Sequence, residues 1–247
     1  MRAYTRLTGM ALRLYLREPM AAFFTMAFPS LLLVLFGSIY GNTPTPMFGG
    51  RGTIDISMPN YTGLILATVA LMNIPITTSS YRELGILRRF RATPMRPLTY
   101  IAADVSTNLL MTIVGMVVLL AMGWVLYRVN FEGQLISFLA AVVLSCLAMF
   151  SLGYLIAGLA AGARMAQVAG MLILYPMMFL SGAGFPIELL PDSVRRISDF
   201  LPLTYAVNLL RGMWFGEAWS AHLLDVAVLG IMIVVLGGLA VRFFRWE

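Results

Sequence analysis

Lysine is absent from the 247 residues, and all 17 basic side chains are arginine. The phosphate-binding loop GxxxxGK[ST] needs a lysine, so this chain cannot carry it; any ATP the protein uses must be bound by another chain. Charge is scarce as well. Only 11% of residues are charged and 60% are hydrophobic, against roughly 25% charged in soluble domains. That balance points to a membrane protein. The one cysteine, Cys146, lies in an apolar run, so no intrachain disulfide can form. The one histidine, His222, leaves Ser181 without a plausible base, and no apolar run holds a His, Cys, Asp or Glu cluster for a metal. Serine-protease and metal-dependent intramembrane enzymes are thereby disfavoured, and no catalytic residue or metal site is expected.

What the chain does have is long uncharged runs. They fall between Glu18 and Arg51 (32 residues), Asp55 and Arg82 (26), Asp104 and Arg128 (23), Glu132 and Arg164 (31), and Arg164 and Glu188 (23). Each exceeds the ~20 residues that a helix needs to cross a bilayer. A sixth candidate runs from about Leu223 to Phe244. The expected fold is an all-α integral membrane domain over 1–247 with spans near 20–40, 59–80, 104–127, 135–160, 166–185 and 223–242. Arginines recur through Arg17 and no A-x-A site closes the first run, so that run reads as a permanent span rather than a cleaved signal.

Six spans put the N-terminus, the second and fourth loops and the C-terminus on one side. That side holds twelve arginines and the other five, Arg51, Arg128, Arg195, Arg196 and Arg211. The positive-inside rule therefore places both termini in the cytoplasm. The acidic residues on that face, Glu18, Glu83, Glu247 and Asp104, are too dispersed for a lipid-linked transferase.

Residues 1–19 read as an interfacial helix. At 100° per residue Arg6, Arg13 and Arg17 gather with Arg2 on one side, opposite Leu7, Ala11 and Leu14, and Pro19 ends the helix. Such a helix lies along anionic headgroups.

The densest charge is the loop 81–97, YRELGILRRFRATPMRP. Ser80 and Glu83 match a capping box, which predicts a short helix beginning there. Leu84, Leu87 and Phe90 are spaced to share one face, with Arg82, Arg88, Arg89 and Arg91 around it. Thr93-Pro94 and Arg96-Pro97 stop the helix. Gly85 would cost such a helix roughly 1 kcal/mol relative to alanine, and close approach by another backbone would explain it.

This loop resembles the segment after the second span in type-2 permeases of ATP-binding-cassette exporters, close to E-R-E-x-G-T-L-R-R-L-R-A-T-P. A second stretch, FLSGAGFPIELLPDSVRRISDFLPLTYAVNLLRGMWFG, is similar to the segment after that family's fifth span. Here Tyr81-Arg82 stands where Glu-Arg is common, and Ile86 replaces the usual threonine. The resemblance implies two permease units, a second copy or a sibling chain, each docking a cytoplasmic ATPase subunit through this coupling helix. Arg82, Glu83, Leu84, Gly85, Leu87, Arg88 and Arg89 would be the ATPase-coupling residues, and the partner subunit would bind ATP and Mg. Residues 186–219 would form re-entrant outer helices divided by Pro186, Pro191 and Pro202, with Tyr205 in the L-P-x-T-Y element. The setting implied is the bacterial inner membrane, with membrane lipids as further partners and no nucleic acid.

The deep parts of the runs lack charge, which disfavours ion and proton paths. Polar residues there, Asn73, Thr77, Thr78, Asn108 and Ser145, are expected to hydrogen-bond between helices. Eighteen methionines offer an adaptable apolar surface, favouring a lipophilic drug, antibiotic or lipid over the alternative cargo, a polysaccharide or glycolipid. A membrane scaffold without transport is the remaining alternative. The topology is testable with single cysteines in a Cys146→Ala background: position 93 should react with a membrane-impermeant maleimide only after spheroplasts are opened, and position 133 before.

Overall fold

The computed structural model describes residues 9, 23–46, 49–91, 97–184 and 191–243. Arg6, Arg13, Arg17 and Pro186, and almost all of the expected interfacial helix, lie outside the described residues. Six helices are long and apolar enough to cross a membrane among the described residues. They are α1 (Phe23–Tyr40), α2 (Thr53–Glu83), α4 (within Pro97–Tyr127), α5 (Leu135–Leu159), α6 (Ala163–Leu180) and α9 (the span Trp219–Phe243, which opens with one 3-10 turn). Three short helices complete the set: α3 (Ile86–Arg91), α7 (Asp192–Ser198) and α8 (Pro202–Trp214). No strand occurs among the described residues. The expected all-helical, six-span, multi-pass architecture is therefore present.

The spans are not equivalent. In α2, 83% of the most apolar window is buried, against 17% to 44% in the other five, so α2 is the central helix. The other spans turn apolar side chains outward instead, with Trp124 at 71%, Leu172 at 70%, Val234 at 74% and Val241 at 73% exposure. In lipid such surfaces are solvated by acyl chains, and helices associate through packing and close backbone approach rather than hydrophobic collapse.

Helix α2 also begins and ends elsewhere than the hydropathy suggests. It starts at Thr53, ahead of Asp55, because Asn42 caps it: its Oδ1 accepts the N–H groups of Ile54 (3.1 Å) and Asp55 (3.2 Å). Asp55 Oδ1 in turn accepts Asn42 Nδ2–H (3.3 Å) and Asn130 N–H (3.0 Å), so the charge serves two loops. Arg51 lies 3.6 Å over the Phe215 ring and pairs with Glu132 at 3.4 Å. The start of α2 and the ends of α4 and α8 are thereby tied together.

Midway, α2 widens into a π turn at Val69–Asn73, and the cause is Pro75. Ile74 N–H donates to Val69 O, one residue further back than in an α-helix. Pro75 has no N–H to give. Ala70 O therefore loses both possible helical donors, and Leu71 O loses its donor four residues on. These two carbonyls face glycines: a Cβ on Gly153 of α5 would run into Ala70 O, and one on Gly170 of α6 into Leu71 O. The π bulge thus projects two carbonyls into the seams where α5 and α6 reach closest to α2.

Most polar residues in the spans hydrogen-bond along their own helices, which differs from the expectation. Ser57, Thr62 and Thr68 donate to the carbonyls of Thr53, Met58 and Leu64, and Asn108 and Thr112 to those of Asp104 and Asn108. The four-residue reach satisfies a hydroxyl without any neighbour. Asn73 does cross between helices, donating to Thr25 at 3.3 Å. Ser145 Oγ is buried without a partner. Asp104, expected at a span end, lies seven residues inside α4 and accepts Tyr154 O–H of α5 at 2.5 Å.

Replacing Gly153 or Gly170 with valine should force α2 away from its neighbour and destabilise the fold by about 1–3 kcal/mol. Gly230→Ala in α9, where a new Cβ meets nothing within 4 Å, should be neutral or better. Thermal aggregation followed by size-exclusion chromatography in detergent would separate the two outcomes.

Candidate functional site

The residues singled out in 81–97 form a corner at the end of α2. No new helix starts at Ser80. Helix α2 continues to Glu83, Leu84 N–H donates to Ser80 O at 2.9 Å and Gly85 N–H to Arg82 O at 3.0 Å. Gly85 then takes φ of +67°. A left-handed glycine just after the last turn is a helix C-terminal stop, so the glycine ends one helix and sets the angle of α3 rather than sitting inside a helix. Beyond its chain neighbours, no atom of this chain lies within 4 Å of where its Cβ would be, so within the chain it is the left-handed turn, not close packing, that calls for the glycine.

The corner sorts the candidate residues into two groups. Leu84 is 68% exposed, whereas Leu87 is fully buried. The two do not share a face, because the break at Gly85 interrupts the periodicity that would have aligned them. Leu87 anchors α3, while Leu84 and Arg88 are presented outward. Arg89 lies in the same short helix.

Arg82 and Glu83 turn the other way, onto the α5–α6 turn. Arg82 Nη1 donates to Ala157 O at 3.0 Å and Nη2 donates to Ala160 O. Glu83 Oε1 accepts the Ala163 N–H at 3.1 Å. Glu83 therefore serves the start of α6 rather than closing a box with Ser80. Neither contact is legible in the sequence, since the partners are backbone atoms of alanines about 80 positions away.

On the opposite face, α7 begins after Pro191, and Pro202 is the first residue of α8. Tyr205 Oη donates to Asp199 O and Thr204 Oγ1 to Ser198 O, each at 2.7 Å, fastening α8 to the turn before it. At 13 residues α8 is too short to cross a bilayer, yet most of it is buried. Between α8 and α9, His222 faces Asp225 at 2.8 Å and Glu217 at 2.9 Å through its two ring nitrogens. An apolar recess of about 220 Å³ lies beside Met58, Trp124, Phe131, Phe138 and Trp214. It is smaller than the roughly 300–1,000 Å³ of drug-sized sites, so it cannot enclose such a ligand whole. Among the described residues no cluster of three or more His, Cys, Asp or Glu could hold a metal ion.

Six apolar spans around a buried central helix, with a glycine-set corner at one face, define a polytopic helical membrane protein. The chain belongs to the ABC-2 type transporter family, whose profile matches residues 3–215. It is 36% identical over 97 residues to nodulation protein J of Rhizobium leguminosarum bv. viciae, covering 39% of this chain and 38% of that one. It is 27% identical over 180 residues to the inner membrane transport permease YhhJ of Escherichia coli (strain K12), covering 69% and 48%. The daunorubicin resistance ABC transporter permease protein DrrB1 of Streptomyces coeruleorubidus is 24% identical over 227 residues, covering 88% and 77%. The matched region thus spans less than half the length of the first two relatives.

Substitution at Gly85 should follow backbone conformation rather than size. Gly85→Asn, which tolerates the left-handed region, should cost little, whereas Gly85→Ala and Gly85→Val should cost about 1–2 kcal/mol at the corner. Hydrogen exchange of the amides of 84–88 would show the order; equal effects of Asn and Val would refute it.

Proposed function

We propose that this chain is the transmembrane permease of an ATP-driven exporter in the bacterial inner membrane, with both termini cytoplasmic. Two permease units, identical or sibling, work as a pair, and separate ATP-binding-cassette ATPases dock on α3 and supply bound ATP and Mg. The single observation that carries this reading is the family match across residues 3–215, which includes the Gly85 corner. That corner supports it physically, since a left-handed glycine sets off a six-residue helix and leaves Leu84 exposed beside it. The docking surface we propose is Leu84, Gly85, Arg88 and Arg89, held from beneath by Leu87. Residues 1–19 would lie along the headgroups, and residues 186–219, including Pro186, Pro191, Pro202 and Tyr205, would re-enter the outer leaflet.

The cargo we favour is a lipophilic drug, antibiotic or lipid. The name of DrrB1, a daunorubicin resistance permease, agrees with a drug cargo. The uncharged depth of the spans supports it, because a desolvated charge in hydrocarbon is costly and no charged path is laid out for ions.

The test is purification of the tagged chain from its native membrane in mild detergent, with partners identified by mass spectrometry. A stoichiometric ABC ATPase is expected, and Leu84→Asp or Arg88→Glu should weaken its retention at least about tenfold, the loss of a desolvated contact. Reproducible absence of any ATPase from the intact wild-type complex would reject the exporter reading in favour of a scaffold.

A further inference from the structure

Arg82 and Glu83 are adjacent, opposite in charge, and fixed on the last turn of the central helix. They reach the two ends of one short turn, residues 160–162, that joins α5 to α6. The Arg82 guanidinium meets the carbonyls of Ala157 and Ala160, where α5 ends and its carbonyls lack intrahelical donors. The Glu83 carboxylate meets the N–H of Ala163, the first residue of α6, where donors lack intrahelical acceptors. The signs are right at both ends: a cation at the negative end of one helix dipole, an anion at the positive end of the next. Gly162 makes room for this, since a Cβ there would run into Glu83 Oε1.

We propose that Arg82 and Glu83 are positioning residues that clasp the α5–α6 hairpin to the corner of α2, so that displacement of α3 drives spans four and five together with span two. The inference rests on the exporter reading and adds to it the direction in which force leaves the corner. One hydrogen bond would allow the hairpin to pivot. Three bonds from two consecutive residues, pointing at both helix ends, fix its position and its rotation. Helix α2 also meets both partners further along its length, through the Ala70–Gly153 and Leu71–Gly170 approaches. A push at the cytoplasmic corner is thereby applied to a hairpin already seated against the same helix in mid-membrane. Leu84, exposed at the same corner, is placed to receive the push.

The experiment uses the complete permease–ATPase complex in nanodiscs, in a Cys146→Ala background. One spin label sits at Ala161, exposed in the α5–α6 turn, and a second, in a separate sample, at Thr93 beyond α3. In wild type both labels should change mobility on addition of a non-hydrolysable ATP analogue. In the Arg82→Ala/Glu83→Ala variant the Thr93 response should persist while the Ala161 response falls at least about fivefold, as expected when hydrogen bonds of this kind are removed. Glu83→Gln, which keeps an acceptor oxygen, should restore part of it. A general loss of structure would silence both labels and cannot give this split.

An Ala161 response that survives the double variant overturns the inference. So does loss of both responses together with the ATPase, which would make Arg82 and Glu83 docking contacts instead. Wild-type chain that binds no ATPase overturns the exporter reading and the inference with it. On the chain alone, exchange of the Ala163 amide should quicken about tenfold in Glu83→Ala; unchanged exchange there rejects the clasp independently of any partner.

Discussion

The architecture depends on one backbone constraint in the middle of α2. Pro75 cannot donate a hydrogen bond, and the π turn before it shifts the Ile74 donor to Val69. Two carbonyls are left short of helical partners in the most buried helix of the molecule. In hydrocarbon such groups are expensive unless a polar or close neighbour meets them. Glycines at 153 and 170 let α5 and α6 come near enough to touch both carbonyls with their backbones. The proline, the bulge and the two glycines therefore act as one device, and it decides which helices surround α2.

From that centre the two ends of α2 follow different chemistry. The N-terminal end is closed by Asn42, which caps the helix, and by Asp55, which collects donors from two loops. Its C-terminal end is left open to turn, because Gly85 takes a left-handed conformation and hands the chain to α3. Arg82 and Glu83, just before that stop, are still inside the helix and so have a fixed direction. A rigid end carrying two opposite charges beside a glycine hinge is suited to pass a push sideways. Under the exporter reading, that is what a permease needs at the face where an ATPase acts.

Relatives of this chain differ widely in how much of their length they share with it, from 30% of one nodulation protein J to 82% of another. The part held in common with the family reaches to residue 215 and so includes the π bulge, the corner and α8. Helix α9 lies beyond it, and its exposed face of Ile231, Val234, Val235 and Val241 is lipid-like. Packing demands are light there, since an acyl chain substitutes for a neighbour.

The sequence by itself determined the class of fold. Run lengths without charge count the spans, scarcity of charge sets the environment, and absence of lysine excludes the GxxxxGK[ST] loop from these residues, because these are sums over composition that no folding can change. It also marked the arginine-rich corner as distinct. It misjudged how the corner is built: Ser80 and Glu83 looked like a helix start, and Leu84 and Leu87 looked like one face. Spacing along a chain assumes one continuous helix, and the left-handed Gly85 breaks that assumption. The roles of Arg82, Glu83, Gly153 and Gly170 were decided only by tertiary structure, because their partners are backbone carbonyls and amides that every residue carries. A sequence names side chains; it does not say which backbone groups a helix will leave unpaired, or what will stand opposite them.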